Sequence, residues 1–507
     1  MNAIMGSIPK VQMIRDVSSL GLRHPSRRRR AARIASAAAL VAALAGCAVD
    51  APPGPRSLTA ASAAAASFDA MSGAPISADT PADAWWRLYD DPVLDRLVHD
   101  ALTANLDLKV AAANVARARS LLAQADAARL PDTTLGFGVD YGQHAPDQIV
   151  AAARGQSAAD TRWGYAPSFA LSWEVDLWGR VRNLSAAARA DADAARAASD
   201  AMRVAVAADT AAAYTRVCAY GERIGVAERS LAVAERVAGL TGRQRARGLV
   251  SGMALARARS FADETRAVLP ALRGERQAAL YELAVLTGRP PAAFPPDAAR
   301  CVTTPTLARP FPVGDGALLL RRRPDLRESE QRLAAARARV GVARAAQYPS
   351  IVLGGSVDLL STTGGPTSLG DPYALSWGVG PLIRWRFPNR AASRAQLGAA
   401  RADSVAADAA FDARVLLALR EVEQALAQYG AAWSRRGALA EAREAGARAF
   451  RLAELNYRAG ALDFLDVLDA ERSLVALDAE LAASSQTVAA DQVALFRALG
   501  GGWQAQP

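Results

Sequence analysis

The stretch Phe169-Ala-Leu-Ser-Trp-Glu-Val-Asp-Leu-Trp-Gly-Arg180 constrains the fold more than any other. Phe169, Leu171, Trp173, Val175 and Leu177 share one side of an extended chain, and Ser168, Ala170, Ser172, Glu174 and Asp176 share the other. Three further segments alternate in the same way. Leu135, Phe137, Val139 and Tyr141 oppose Thr134, Gly136, Gly138 and Asp140, and Ile351, Leu353, Val357 and Leu359 oppose Val352, Gly354, Ser356 and Asp358. Leu375, Trp377, Val379, Ile383 and Trp385 oppose Ser376, Gly378, Gly380, Arg384 and Arg386. The spacing predicts strands at about 133–142, 166–178, 351–360 and 374–387, each of a length that crosses a bilayer when tilted. Trp163, Tyr165, Trp178, Tyr373 and Trp385 lie near their ends, where an interfacial aromatic belt would sit.

Everything between these strands reads as helix. No proline falls between 183 and 247, which at about 1.5 Å per residue predicts a rod on the order of 100 Å. Val206, Thr210, Ala213, Val217, Tyr220 and Ile224 step by fours and threes, and Val415, Leu419, Val422, Leu426, Tyr429 and Trp433 repeat the pattern. Such heptad spacing predicts antiparallel coiled-coil pairs turning near Gly248 and Gly460. The long helices are expected over about 183–247, 251–287, 391–457 and 462–499, and their Arg, Asp and Glu content rules them out as membrane spans. The chain also repeats itself. Ala128–Asp140 aligns with Ala346–Asp358, Pro131 falling on Pro349, and each copy runs helix, strand, strand, long helix, long helix. The repeats are placed at 81–310 and 311–500, with 501–507 as a tail.

The N-terminus supplies a destination. Arg27–Arg30 and Arg33 precede an apolar run too short to span a bilayer, the pattern of a signal peptide over 1–46. The run ends Leu44-Ala45-Gly46-Cys47, which resembles the lipobox of bacterial lipoproteins and marks Cys47 for acylation. Ala48 after it, by the same resemblance, favours the outer membrane. Residues 47–80 then read as the lipidated cysteine and a flexible tether rich in Ala, Pro and Ser. Residues 1–46 hold eight basic groups and one acidic group, so the net charge of +10 falls to +3 once they are removed. The remaining Arg alternates with acids along helices, which argues for solvated ion-paired faces and against a nucleic-acid partner. Cys218, within a long helix, and Cys301, in a Pro-rich connector, could pair in an oxidising compartment, but are read as two separately buried thiols.

In a bilayer an open sheet edge is prohibitive, and four strands are too few to close a barrel. The chain must pool strands with copies of itself. Strand pairs feeding two coil hairpins, duplicated behind a lipobox, resemble the TolC-like outer-membrane efflux family, lipoprotein branch. Trp85–Val98, Leu318–Ile351, Trp385–Asn389 and Tyr457–Leu474 each carry local similarity in the family's order. The resemblance implies a mainly α fold with a membrane β part. Its coiled-coil helices form a periplasmic tunnel, and the four transmembrane strands per chain pool as a twelve-stranded barrel in a homotrimer. It further implies a passive efflux duct served by a periplasmic adaptor and an inner-membrane pump.

The resemblance also assigns a periplasmic constriction to Asp466 and Asp469, with Tyr457 as a tether to the neighbouring coil. Asp463, Asp466 and Asp469 recur every third residue, so they share a helix face, and around a threefold axis would form an acidic, cation-favouring ring. The bland reading of that face is pairing with Arg458 and Arg472. At the other tip Gly252 and Ala254 stand where the family usually carries acids and Met253 is apolar, which leaves Tyr457 without its usual partner, and Leu462 cannot make the charged link some relatives have. Ser172, Glu174, Asp176, Ser376 and Arg384 are candidate barrel-lining residues. An enzyme finds no material: His24, His99 and His144 are the only histidines, none is spaced for a metal, and no phosphate loop or nucleophile motif occurs. His144 is read as an exposed loop residue. No cofactor is called for beyond the lipid on Cys47. A lipid-anchored adaptor or envelope spacer, and a protein-secretion duct, remain as alternatives.

Overall fold

The computed structural model describes residues 74–501 apart from 81, 308, 315–321 and 362–364, and the side chains of Pro146 and Phe464 are likewise outside the description. Cys47 and the signal segment therefore lie outside the described residues. The described chain is mostly helical and built twice over. The first half contains α1 (Pro92–Ala104), α2 (Leu106–Ala127), β2 (Asp132–Gly142), a short α3 (Ala145–Ala153), β3 (Arg162–Glu174), α4 (Arg180–Ala246) and α5 (Gly252–Leu286). The second repeats the order with α6 (Pro324–Ala345), β5 (Ser350–Leu359), β6 (Leu375–Arg384), α7 (Ala391–Arg458) and α8 (Phe464–Ala498). Two short strands, β1 (Ile76–Ser77) and β4 (Phe311–Pro312), pair in parallel. Ile76 and Ser77, assigned to the tether by composition, are thus held to the body, Phe311 donating to the Pro75 carbonyl at 2.8 Å.

Most heptad positions do what their spacing demands, although Tyr220 and Leu419 are only partly buried and Trp433 is exposed. Val206, Thr210, Ala213, Val217 and Ile224 of α4 and Val415, Val422, Leu426 and Tyr429 of α7 are buried. The largest core joins both halves. Trp85 stacks on Phe496 at 4.4 Å, Phe311 meets the same ring at 4.1 Å, and Tyr429 lies 5.8 Å from Phe311. Several polar groups beside this core are paired, whereas the buried Trp85 Nε1 has no hydrogen-bond partner. Tyr214 donates to Asp91 at 2.8 Å while Asp91 caps α1 through Val93 and Leu94. Buried Arg323 forks onto Asp325 at 3.0 and 2.7 Å, reaches Glu421 at 2.6 Å and donates to the Ala498 carbonyl at 2.9 Å. Pro324 opens α6, as a proline at the first helical position should. Asp325, in the first turn of that helix, pairs with Arg323 and Arg414.

Four expectations need correction. Cys218 and Cys301 form a disulfide, closing a separation of 83 residues. The connector can approach α4 that closely because residue 221 is glycine: a Cβ there would stand 2.5 Å from the Cys301 carbonyl oxygen. The strand expected over 166–178 stops at Glu174. Asp176 turns inward and accepts from the Val181 and Arg182 amides at 3.0 and 2.8 Å, capping α4, while Gly179 takes φ 74°. Trp178 leaves the expected belt, stacking on Tyr348 at 4.8 Å and donating to the Pro349 carbonyl at 2.7 Å. Finally, His144 is packed over Gly164 with Nδ1 3.4 Å from an Asp140 oxygen, and is not an exposed loop group.

Candidate functional site

Two features of the molecule bear chemistry: the sheet and the paired coil tips. The sheet has the order β2-β3-β5-β6, antiparallel throughout, which places the two halves side by side and leaves β2 and β6 with no strand partner on their outer edges. Its register sorts the side chains. Leu135 stands opposite Phe169, Phe169 opposite Val357, and Val357 opposite Trp377. On the other face Asp132, Ser172, Gly354 and Gly380 form one row, and Ser168, Asp358 and Ser376 another. All four strands therefore present one apolar face and one small or polar face, with Val352 and Leu382 the apolar exceptions on the latter.

The apolar face is bare within the chain. Leu135 is 83% and Trp377 72% exposed, and Phe137, Val139, Tyr141, Trp163, Phe169, Trp173, Val357, Leu375, Val379 and Ile383 are exposed with them. At about 1.5–3 kcal/mol per large side chain, leaving this surface in water would cost on the order of 20 kcal/mol, more than the whole stability of a typical domain. An apolar phase must cover it. Among the described residues no helix is long and apolar enough to cross a membrane.

Of the proposed lining residues, Ser172, Ser376 and Arg384 lie on the small-residue face, Arg384 opposite Ser350. Glu174 ends β3 on that same face but is held bidentately by Arg180, whose Nε donates to Oε1 at 2.7 Å and Nη2 to Oε2 at 2.5 Å. Asp176 is withdrawn altogether into the cap of α4.

The two tips are built alike. α4 ends in Gly248 at φ 75°, whose amide donates to the Arg245 carbonyl while Leu249 donates to Gln244. α7 ends in Gly460 at φ 75°, with the same bonds to Tyr457 and, from Ala461, to Asn456. Ser251 caps α5 by accepting from the Ala254 amide at 3.1 Å. Ala254 is buried and Met253 exposed, so these positions present no charge. Tyr457 nevertheless has a partner. Its hydroxyl accepts from Gln244 Nε2 at 3.0 Å and lies 3.3 Å from Gln244 Oε1, linking the ends of α7 and α4.

Asp463, Asp466 and Asp469 are all exposed in the first turns of α8. The bland pairing does not form. Arg458 pairs with Glu454 on its own helix, and Arg472 lies 3.9 Å from Glu264 and 5.0 Å over the Phe261 ring. Two residues on from Asp469, Glu471 is 1% exposed, and neither carboxyl oxygen has a hydrogen-bond partner. Burial raises its carboxyl from 4.5 to about 7. Neither Gln244 nor Glu471 was singled out by sequence reasoning. For Glu471 a signal existed, since it occupies the apolar phase of Val467, Leu468 and Val475.

The outer membrane efflux protein family profile matches residues 97–289 and 317–501, one block in each repeat. The chain belongs to this family. Nodulation protein T of Rhizobium leguminosarum bv. trifolii is 30% identical over 437 residues, covering 85% of this chain and 90% of that protein. The pyoverdine export outer membrane protein OpmQ of Pseudomonas putida is 30% identical over 84% of this chain and 89% of its own length. The solved outer-membrane channel OprN superposes with a TM-score of 0.81 at 33% identity, covering 87% of this chain and 97% of that one. The fold is that of TolC-like outer-membrane channels; OprN is named as a channel and OpmQ as an export protein.

Proposed function

We propose that this member of the family is an outer-membrane exit duct in which three copies pool their sheets into one twelve-stranded barrel. The observation that carries this reading is the register of the sheet, which gathers the exposed apolar strand residues, Leu382 excepted, onto one face and leaves both edges free to pair with the next copy. Lipid covers the apolar face, and Ser172, Ser376 and Arg384 face the water-filled interior, with Glu174 at the junction below. The coil hairpins continue the duct through the periplasm, and acylation of Cys47 anchors each chain to the membrane.

Asp466 and Asp469, repeated three times, form the periplasmic constriction, and the Tyr457–Gln244 contact holds it closed. The duct itself performs no chemistry. A periplasmic adaptor and an inner-membrane pump deliver small molecules, and docking at the tips opens them to the extent that it favours the open arrangement. The pyoverdine export for which OpmQ is named fits this class of cargo. The test is single-channel recording of the acylated protein in planar bilayers beside Asp466→Ala/Asp469→Ala. Small cation-selective openings that widen and lose selectivity in the variant support the reading. Insertion of both proteins without conductance refutes it.

A further inference from the structure

Glu471 has no place in the duct as just described, because it points into the protein and not into the constriction. An apolar cluster lies beside it on α8 and the helices packed there. Leu468 clusters with Ala234 of α4 and with Phe261 and Ala262 of α5, and Val475 packs on the same cluster. Arg443 donates to Asp478 at 2.8 Å and Arg436 to Ser485 at 3.1 Å, which fixes the antiparallel register of α7 and α8. Carried two turns further, that register sets Glu471 level with Phe450, between the buried Ala447 and Ala453.

Arg451 of α7 is exposed, and several other charged groups of the surrounding helices are engaged elsewhere. Glu235 of α4 binds Arg266 of α5, Asp263 binds the same arginine, and Glu264 faces Arg472. On α7, Glu444 pairs with Arg448 and Glu454 with Arg458. No neighbouring charge contributes to the rise in the Glu471 carboxyl's proton affinity, which is due to burial alone. An ionised carboxylate cannot remain in such a site without water or a cation beside it.

We propose that Glu471 is a proton-binding latch: protonated, it lets the start of α8 pack against α4, α5 and α7 as seen here, and ionised, it drives that segment apart. The segment is the one that carries Asp466 and Asp469, so the latch couples periplasmic pH to the gate, and this consequence rests on the reading of the tip as a constriction. Raising the pH through neutrality loosens the tip; lowering it tightens the tip.

The experiment is hydrogen–deuterium exchange on the full-length acylated protein in detergent at about pH 6 and about pH 8.5, corrected for intrinsic exchange, with Glu471→Gln and Glu471→Leu alongside. Wild-type residues 464–478 are expected to lose protection by about tenfold or more at the higher pH, while both variants stay protected at both. Equal wild-type protection at the two pH values, or the same loss in the variants, overturns the latch. Bilayer recordings of the same preparations separate the two readings. A latch present in exchange without any conductance sinks the duct and keeps Glu471 as a proton site. Conductance with flat exchange keeps the duct and sinks the latch.

Discussion

Removing the Tyr457 hydroxyl should open the tip, and the size of the effect follows from the contact itself. Tyr457 and Gln244 are joined at 3.0 Å across the ends of α7 and α4, the two hairpins whose separation an opening requires. A neutral hydrogen bond of this kind contributes about 1 kcal/mol, and Tyr457→Phe keeps the ring in place. If three tips open together, the losses sum to about 3 kcal/mol, a shift of roughly a hundredfold in the ratio of open to closed. Gln244→Ala should reach a similar figure, and the double variant should add little to either single one, because both remove the same interaction. Open probability in planar bilayers measures all three. An unchanged open probability in Tyr457→Phe, or a double variant whose shift is the sum of the singles, refutes the idea that this contact holds the gate.

Further expectations concern the body and its pH response. Arg323→Met leaves Asp325 and Glu421 without their shared partner in a buried site, and thermal unfolding should register a loss of about 3–5 kcal/mol. Reducing the Cys218–Cys301 bridge frees a separation of 83 residues. The loop-entropy relation gives about 4.5 kcal/mol for that length, visible as a lower melting temperature that the Cys218→Ser/Cys301→Ser variant reproduces without reductant. Glu471 has its folded-state proton affinity raised from 4.5 to about 7, so the stability it contributes is fully present below pH 4.5 and is lost as pH rises through about 7. The loss is roughly 3 kcal/mol, and pH-dependent melts of Glu471→Gln should lack it.

Much of the architecture could be read in the residues because it rests on periodicities. A period of two set the faces of all four strands, and steps of three and four set the buried stripes of α4 and α7. What escaped depends on contacts between distant segments. The end of β3 could not be placed because Asp176 continues the alternation as a residue type, yet its carboxylate is taken by amides of the following helix. The disulfide was missed because no pattern reveals that Gly221 lets the connector touch α4. Gln244 meets Tyr457 only after two hairpins are docked. Glu471 was within reach, as a carboxylate standing in an apolar heptad position, but attention to the acidic face beside it obscured that phase.

Everything said about the duct depends on copies of the chain closing one barrel. Native mass spectrometry of the acylated protein, released from mild detergent micelles, counts the copies directly. The account predicts a mass three times that of the acylated chain, persisting after mild removal of bound lipid. A single-chain mass under conditions that keep the protein folded would contradict it, because the open edges of β2 and β6 would then have no partner in the membrane.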